Sequence, residues 1–502
     1  MDIFSNLALG FTTTLQPTNL LFCFVGCLLG TVIGVLPGIG PLSTIAILLP
    51  ITFGFQPEAA LIMLAGIYYG AQYGGSTTAI LINLPGEATS AVTAIDGHQM
   101  ARQGRAGVAL AIAAIGSFVA GCFATLVIAL FALPLTALAL KFGPSDYFSL
   151  MLLGLVASIA LAHGSVLKGL MMIVVGLLLG TVGTDMTTGT PRFNFGTLDL
   201  ADGIPIVVFA VGIYAVAEIL RGLEHAGNEE QEVETARVTS LMPGRSDLKE
   251  AAAPIMRGTL LGSILGILPG GGALLSSFAA YVIEKKLSRL PEKFGRGAIA
   301  GVAAPESANN AASQTSFIPM LTLGLPSNPI LALMIGALMI QGVAPGPNLA
   351  SQKPALFWGV IASMWVGNLM LVILNLPLVG IWVRLLSVKQ RYMFPAILVF
   401  SMLGIYSAGN SAFDLYTLTF FGILGYALTK LECEPAPLLL GFVLGPMLEE
   451  YLRRAMMISN GSPSIFFSRP ISAGLLAAAA IVLVIVLLPT IRKRRTEVFE
   501  EG

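Results

Sequence analysis

The chain has 502 residues, of which 55% are apolar and only 11% charged, with 27 basic residues balancing 27 acidic ones. A soluble domain carries about 25% charged residues, so a water-facing globular surface is excluded and lipid is the solvent that fits; the zero net charge suggests no nucleic-acid partner. Closed β-barrels would read as alternating ~10-residue segments, whereas these apolar runs are continuous, which leaves an all-α polytopic membrane protein.

In chain order, Met1–Gln16 has no basic n-region, so the first hydrophobic segment is expected to be retained. A helical hairpin follows over 18–55, bent at Pro37-Gly38-Ile39-Gly40-Pro41. Its Cys23 and Cys27 are read as buried packing residues. An interrupted span covers 58–84, a polar connection runs through Arg105, and spans follow at 106–133, 144–163, 166–184 and 203–221. The charged stretch 222–253, with Glu229–Glu234, reads as a solvated linker. The second half restarts with a hairpin over 254–284, bent at Pro269-Gly270-Gly271-Gly272. An interrupted span at 298–326 and a reach through 328–342 come next, then spans at 354–384, 392–408, 411–430, 435–448 and 471–491. Nearly uncharged stretches such as 106–140 and 471–491 are long enough to cross ~30 Å of hydrocarbon.

Cytoplasmic loops carry the excess of Lys and Arg. With 222–253 and 285–297 inside, the tail Arg492-Lys493-Arg494-Arg495 also falls inside. Of the 27 basic residues, only Lys141, Arg192, Lys353, Arg453, Arg454 and Arg469 then lie outside, Arg453 and Arg454 against the trend. The expected organisation is a first inverted repeat over 1–221, a cytoplasmic linker over 222–253 and a second inverted repeat over 254–448. Residues 449–502 supply an outer loop, a final transmembrane helix and a basic cytoplasmic tail.

The repeat is visible directly. Gly30-Thr-Val-Ile-Gly34-Val-Leu-Pro37-Gly38-Ile-Gly40 matches Gly262-Ser-Ile-Leu-Gly266-Ile-Leu-Pro269-Gly270-Gly-Gly272 at a constant offset of 232. Behind each comes a polar segment: Ser76-Thr77-Thr78 leading to Leu84-Pro85-Gly86, and Pro305-Glu306-Ser307-Ala308-Asn309-Asn310 leading to Leu325-Pro326-Ser327. The charge count gives the copies opposite orientations, the layout of many secondary transporters. Proline removes a donor and glycine relaxes the backbone, and backbone groups freed inside a bilayer are tolerated where they line a cavity or meet a ligand. A half-helix N-terminus suits a carboxylate, and carbonyl and hydroxyl oxygens suit Na⁺.

Substrate binding is therefore expected at Pro37, Gly38, Gly40, Ser76, Thr77, Thr78, Asn83, Pro269, Gly270, Gly271, Ser307, Asn309 and Asn310, and ion coupling at Glu306, Thr315 and Thr322. A carboxylate within a span is costly and marks a site by default. The competing reading makes Gly30/Gly34 and Gly262/Gly266 small-residue packing seams, the prolines kinks, and the hydroxyls bonds to their own backbone. Asp96 reads as a cap or loop residue and Lys168, beside His163, as a snorkelling lysine. No Walker loop and no nucleophile–base constellation is present, so neither an ATPase nor an enzyme is expected; no cofactor is expected, and no metal beyond a transported Na⁺. An organic-anion channel is the rival class.

These motifs resemble the TctA family, the large membrane subunit of bacterial tripartite tricarboxylate transporters. The resemblance rests on Gly34-Val-Leu-Pro-Gly-Ile-Gly-Pro41, Tyr73-Gly-Gly-Ser-Thr-Thr-Ala-Ile-Leu-Ile-Asn-Leu-Pro-Gly86, Asp96-Gly-His-Gln-Met-Ala101, Gly301-Val-Ala-Ala-Pro-Glu-Ser-Ala-Asn-Asn-Ala311 and Leu321-Thr-Leu-Gly-Leu-Pro326. They occur in the family's order over most of 20–350; the distal third is similar mainly in length and hydropathy. Gln314-Thr315-Ser316 and Pro326-Ser327-Asn328 depart from the pattern, where glycines are commoner. The resemblance implies an inner-membrane importer of small organic acids, citrate-like carboxylates among them, driven by a Na⁺ or H⁺ gradient. It also implies a periplasmic TctC-like binding protein and a small TctB-like membrane subunit as partners.

Overall fold

The computed structural model describes residues 3–36, 40–84, 86–161, 165–185, 187–225, 241–268, 272–385 and 390–487. Pro37, Gly38, Pro269, Gly270, Gly271, His163, Glu229–Glu234 and the basic tail lie outside them. The described residues are mostly helical, and among them the strand content is one two-residue antiparallel pair, Gly183–Thr184 with Pro191–Arg192. Six described stretches are long and apolar enough to cross a bilayer: Pro17–Val35, Ala88–Ala139, Ile206–Glu224, Pro354–Asn375, Ala412–Lys430 and Pro470–Leu487. Shorter apolar helices, including Pro144–Leu161, Val166–Gly180 and Pro329–Ile340, fill the gaps between them.

Several expected boundaries shift for identifiable reasons. The 58–84 segment is not interrupted: Pro57–Ile82 is one continuous helix, because its glycines serve contact rather than breakage, and it stops where Asn83 turns left-handed at φ 57°. The 298–326 segment runs as Ala300–Thr315 and Phe317–Leu323, ending at left-handed Gly324 with φ 72°. The span placed at 106–133 continues to Ala139 with Pro134 inside it, and that placed at 435–448 continues to Ile458. A helix, Arg245–Leu265, begins inside the stretch read as a linker, started by Asp247, whose side chain accepts from the Gly244 N–H at 2.9 Å. The helix Ile3–Thr14 docks on Pro354–Asn375, with Thr14 Oγ1 donating to the Gly359 carbonyl at 2.8 Å.

The same seam occurs in both halves. Pro17–Val35 packs on Pro57–Ile82 so closely that a Cβ on Gly26, Gly30 or Gly34 would strike the carbonyl oxygen of Met63, Ile67 or Ala71. Arg245–Leu265 packs on Ala300–Thr315 likewise, Gly258, Gly262 and Gly266 facing the carbonyls of Ala304, Ala308 and Ala312. Small residues let helix backbones approach where no hydrophobic drive exists between apolar surfaces. The packing reading of the GxxxG repeats thus holds at these glycines. This register also aligns the two helix stops: Asn83-Leu84 corresponds to Gly324-Leu325. Cys23 and Cys27 are buried and free, as expected, with Sγ atoms 3.8 and 3.7 Å from the carbonyls of Ser363 and Gly367.

Arg453, expected on the side with few basic residues, is held by acids: it donates to Asp185 at 2.9 Å and to Glu449 at 2.6 Å, and Arg192 donates to Glu449 at 3.1 Å. Arg454 pairs with Glu450. The Thr187 N–H, the Thr188 hydroxyl and the two guanidinium groups hold the Asp185 carboxyl down at about 2 from its ordinary 3.8. A depressed carboxylate contributes its stability above the unfolded value and loses it as pH falls through the folded one. The 183–192 hairpin should therefore resist protease equally at pH 7 and 5, and loosen only as pH drops below about 3.8 toward 2. Loosening already at pH 5 would contradict this.

Candidate functional site

Glu306 lies on Ala300–Thr315 and is fully buried. Ser76 Oγ, from Pro57–Ile82, meets its Oε2 at 2.5 Å, and Thr93 Oγ1, from Ala91–Met100, donates to its Oε1 at 2.5 Å. Among the described residues no basic side chain pairs with it. The carboxyl therefore joins the polar segments of the two halves through hydroxyls alone.

Beside it lies a narrow crevice of about 10 Å³, room for about one water molecule, lined by Tyr73, Ser76, Thr77, Ser117 and Asn375 together with small and apolar side chains. Asn310 reaches this wall indirectly: its Nδ2 donates to Ser117 Oγ at 2.7 Å and to the Glu306 carbonyl at 3.1 Å, leaving its Oδ1 buried without a partner. Asn309 is fully buried with neither amide atom partnered. A buried amide left unpaired costs about 1–3 kcal/mol.

The remaining expected residues divide. Thr78 Oγ1 donates to the Val35 carbonyl at 2.7 Å, tying off the end of Pro17–Val35. Thr315 and Thr322 donate to their own helices at Ala311 and Ile318, and Ser307 to Ala303. These four have spent their hydroxyl protons on backbone carbonyls. Asn83 is an exposed left-handed helix stop, away from the buried group. Gly40 starts the short helix Pro41–Leu48, with open space at its α-carbon. The five Pro and Gly residues of the two tips lie outside the described residues.

Other members went unread in the sequence. Glu87, just after Leu84-Pro85-Gly86, accepts from Gln72 Nε2 at 3.1 Å while its Oε1 stays buried and unpartnered. Asn368 and Asn375 stand seven residues apart on Pro354–Asn375, each with an unpartnered amide atom; two amides on one face of an apolar helix were the available signal. Gln314, a departure from the expected pattern, accepts from Thr125 Oγ1 at 2.6 Å. Ser327 and Asn328, in the other departure, donate to the Ser316 carbonyl and to Tyr68 Oη at 2.9 and 3.1 Å. The departures thus form internal bonds. Asp96 is a fully buried loop anchor, accepting from three backbone N–H groups and from Tyr281.

Apolar spanning helices in glycine-seamed pairs, around a buried polar centre that holds a carboxyl bonded only by hydroxyls, define a multi-pass membrane protein. The chain belongs to the tripartite tricarboxylate transporter TctA family, which residues 20–440 match. The match reaches well past 350, so the family pattern includes much of the distal third. The chain is 62% identical over 501 residues, covering 100% of itself and 99% of the relative, to an uncharacterized 52.8 kDa protein in the TAR-I ttuC′ 3′ region of Agrobacterium vitis. It is 59% identical over 240 residues to an uncharacterized protein in the TAR-II ttuC′ 3′ region of the same organism, covering 48% of itself and 99% of that relative. No solved structure matches it. The chain is thus a membrane component of a tripartite transporter.

Proposed function

We propose that this chain is the large subunit of an ion-gradient-driven importer of a small organic acid, tri- or dicarboxylate-like. A periplasmic TctC-like binding protein delivers the acid and a small TctB-like membrane subunit accompanies the chain. The setting is the bacterial inner membrane, with the basic C-terminus cytoplasmic. The observation that carries the reading is the Ser76–Glu306–Thr93 group, which joins the two halves beside a narrow crevice lined from both. A solute bound there contacts both halves, so relative movement of inverted repeats carries it across by alternating access. An elevator-like motion is the form suggested by the paired hairpins. The substrate carboxylate is held by Thr77, the Asn310–Ser117 pair and backbone N–H groups of the tips.

Uptake in vesicles holding all three components, with a panel of carboxylates, tests this. Saturable uptake that requires the binding protein is expected; non-saturable flux without it would favour a channel. Thr77→Ala and Asn310→Ala should each lower uptake by roughly 10- to 150-fold, since one hydrogen bond to a charged group is worth about 1.5–3 kcal/mol, with folded protein retained. Normal transport in both would displace the site.

A further inference from the structure

Basic residues are spread unevenly along the chain. Residues 1–101 hold no Lys or Arg, while Lys285, Lys286, Arg289, Lys293 and Arg296 fall within twelve residues, with Glu292 as the one acid among them. All five are exposed, and among the described residues none is paired with a carboxylate. We propose that this collar binds the anionic headgroups of phospholipid and so fixes the foot of the second hairpin to the membrane surface. The proposal goes beyond the importer reading and does not depend on it.

The contacts of Gly272–Leu287 settle which way its sides face. Ser277 Oγ donates to the Pro305 carbonyl at 3.3 Å, Tyr281 Oη donates to Asp96 at 3.0 Å, and Glu284 accepts from Arg257 at 2.5 and 2.7 Å. These three positions, spaced by four and three residues, form one face and hold it against the protein. Leu275, Val282, Ile283 and Leu287 are exposed on the opposite side. Lys286, four residues beyond Val282, ends that stripe. A stripe that runs apolar and then basic along an outer helix face passes from hydrocarbon into headgroups. The lysine stems lie on its apolar part while the ammonium groups reach the phosphates.

The rest of the collar stands on a fixed base. Phe294 is buried edge-on against Tyr281, ring centres 5.4 Å apart, and Asp96 accepts from the N–H groups of Gly295, Gly297 and Ala298. Gln103 Nε2 donates to the Arg296 carbonyl at 2.8 Å. Lys293 and Arg296, on either side of the anchored ring, are thereby held exposed, and exposed Arg102 beside Gln103 adds a further cation. The neighbouring Arg105 and Arg257 are neutralised within the protein, by Asp247 at 2.8 Å and by Glu284.

Charge selects the ligand, and the apolar residues select its source. A patch this basic attracts anions, and each Lys or Arg close to an anionic membrane surface strengthens binding about fivefold. Free phosphate would leave Leu287 and Leu290 exposed to water between the charges. A phospholipid covers them, its phosphate on the cations and its acyl chains on the apolar stripe. The collar carries the arm Gly272–Leu287 and leads into Ala300–Thr315, the helix of Glu306. Headgroup contact therefore steadies both helices from one point.

The purified full chain in neutral detergent, titrated with short-chain phosphatidylglycerol, tests this through its melting temperature. A saturable rise is expected, absent with zwitterionic phosphatidylcholine of the same chain length and with inorganic phosphate. Replacing Lys285, Lys286 and Arg289 together by Gln should raise the half-saturating concentration roughly 100-fold, about fivefold for each charge. Lys286→Gln alone should raise it about fivefold. Lys285→Arg with Lys286→Arg should leave it unchanged, as should Lys353→Gln at an exposed lysine outside the collar. An equal rise with phosphatidylcholine or with inorganic phosphate overturns the proposal. So does a triple variant with the parent's half-saturation. None of these readouts involves transport, so a failed uptake test removes the importer reading and leaves this proposal to be judged on its own.

Discussion

Replacing Gly30 or Gly262 by valine is expected to cost about 3 kcal/mol or more each, and the double replacement to leave no folded protein. A Cβ on Gly30 would strike the Ile67 carbonyl oxygen and lie 2.9 Å from the Gly70 α-carbon; on Gly262 it would strike the Ala308 carbonyl oxygen and lie 2.8 Å from the carbon behind it. These are backbone atoms in continuous helices and cannot swing aside. The helices must part, which forfeits packing along the whole seam. Ordinary overpacking of a side-chain core costs about 1–3 kcal/mol, so the backbone-limited case belongs at or above the top of that range. Native stabilities are about 5–15 kcal/mol, hence the expected loss of the double variant. The control is Gly474→Ala in Pro470–Leu487, where an added Cβ meets nothing within 4 Å. There the gain in helix propensity, about 1 kcal/mol, should hold or raise the melting temperature. Melting in detergent and the monodisperse yield read all four variants. A Gly262 variant that melts like the parent would mean that the seam is looser than described.

The sequence showed that seam as a repeat because close packing needs one residue type at a fixed four-residue spacing. Composition and apolar run length gave the class for the same reason: lipid constrains every surface residue of a span. What stayed hidden was three-dimensional. Nothing in the spacing of Ser76, Thr93 and Glu306 says that they meet, since they come from three helices and from both halves. Ser-Thr-Thr read as three equivalent ligands, yet Ser76 and Thr77 face the centre while Thr78 caps a helix; alternation of faces within a helix separates them. Asn83 read as a candidate ligand, and its left-handed backbone, a form asparagine adopts readily, was equally invisible in the sequence. Thr315 and Thr322 could not be told from free hydroxyls without their carbonyl partners.

Asp96 decides how accurately that centre is assembled, which makes its removal the other large effect. Its Oδ1 accepts from the N–H groups of Gly295, Gly297 and Ala298 at 2.9, 2.8 and 2.8 Å, and its Oδ2 from Tyr281 at 3.0 Å. Gly295 and Gly297 have φ of 84° and 100°, so the chain is wrapped around the carboxylate in a form that side chains resist. The wrap leads directly into Ala300–Thr315, the helix that carries Glu306, Asn309 and Asn310. An anion there also opposes the partial positive charge of the helix start. Asp96→Ala strands three N–H donors and a buried hydroxyl; at about 1–3 kcal/mol for an unsatisfied group, with the loop partly open to water, a net loss of about 3–5 kcal/mol follows. Asp96→Asn keeps an oxygen for the three N–H groups and an amide for Tyr281, losing only the charge, so about 1–2 kcal/mol is expected. Thermal melting and protease cutting within 291–298 should rank parent, Asn and Ala in that order. Equal melting of the Ala variant and the parent would show that the helix bearing Glu306 is positioned by its seam alone.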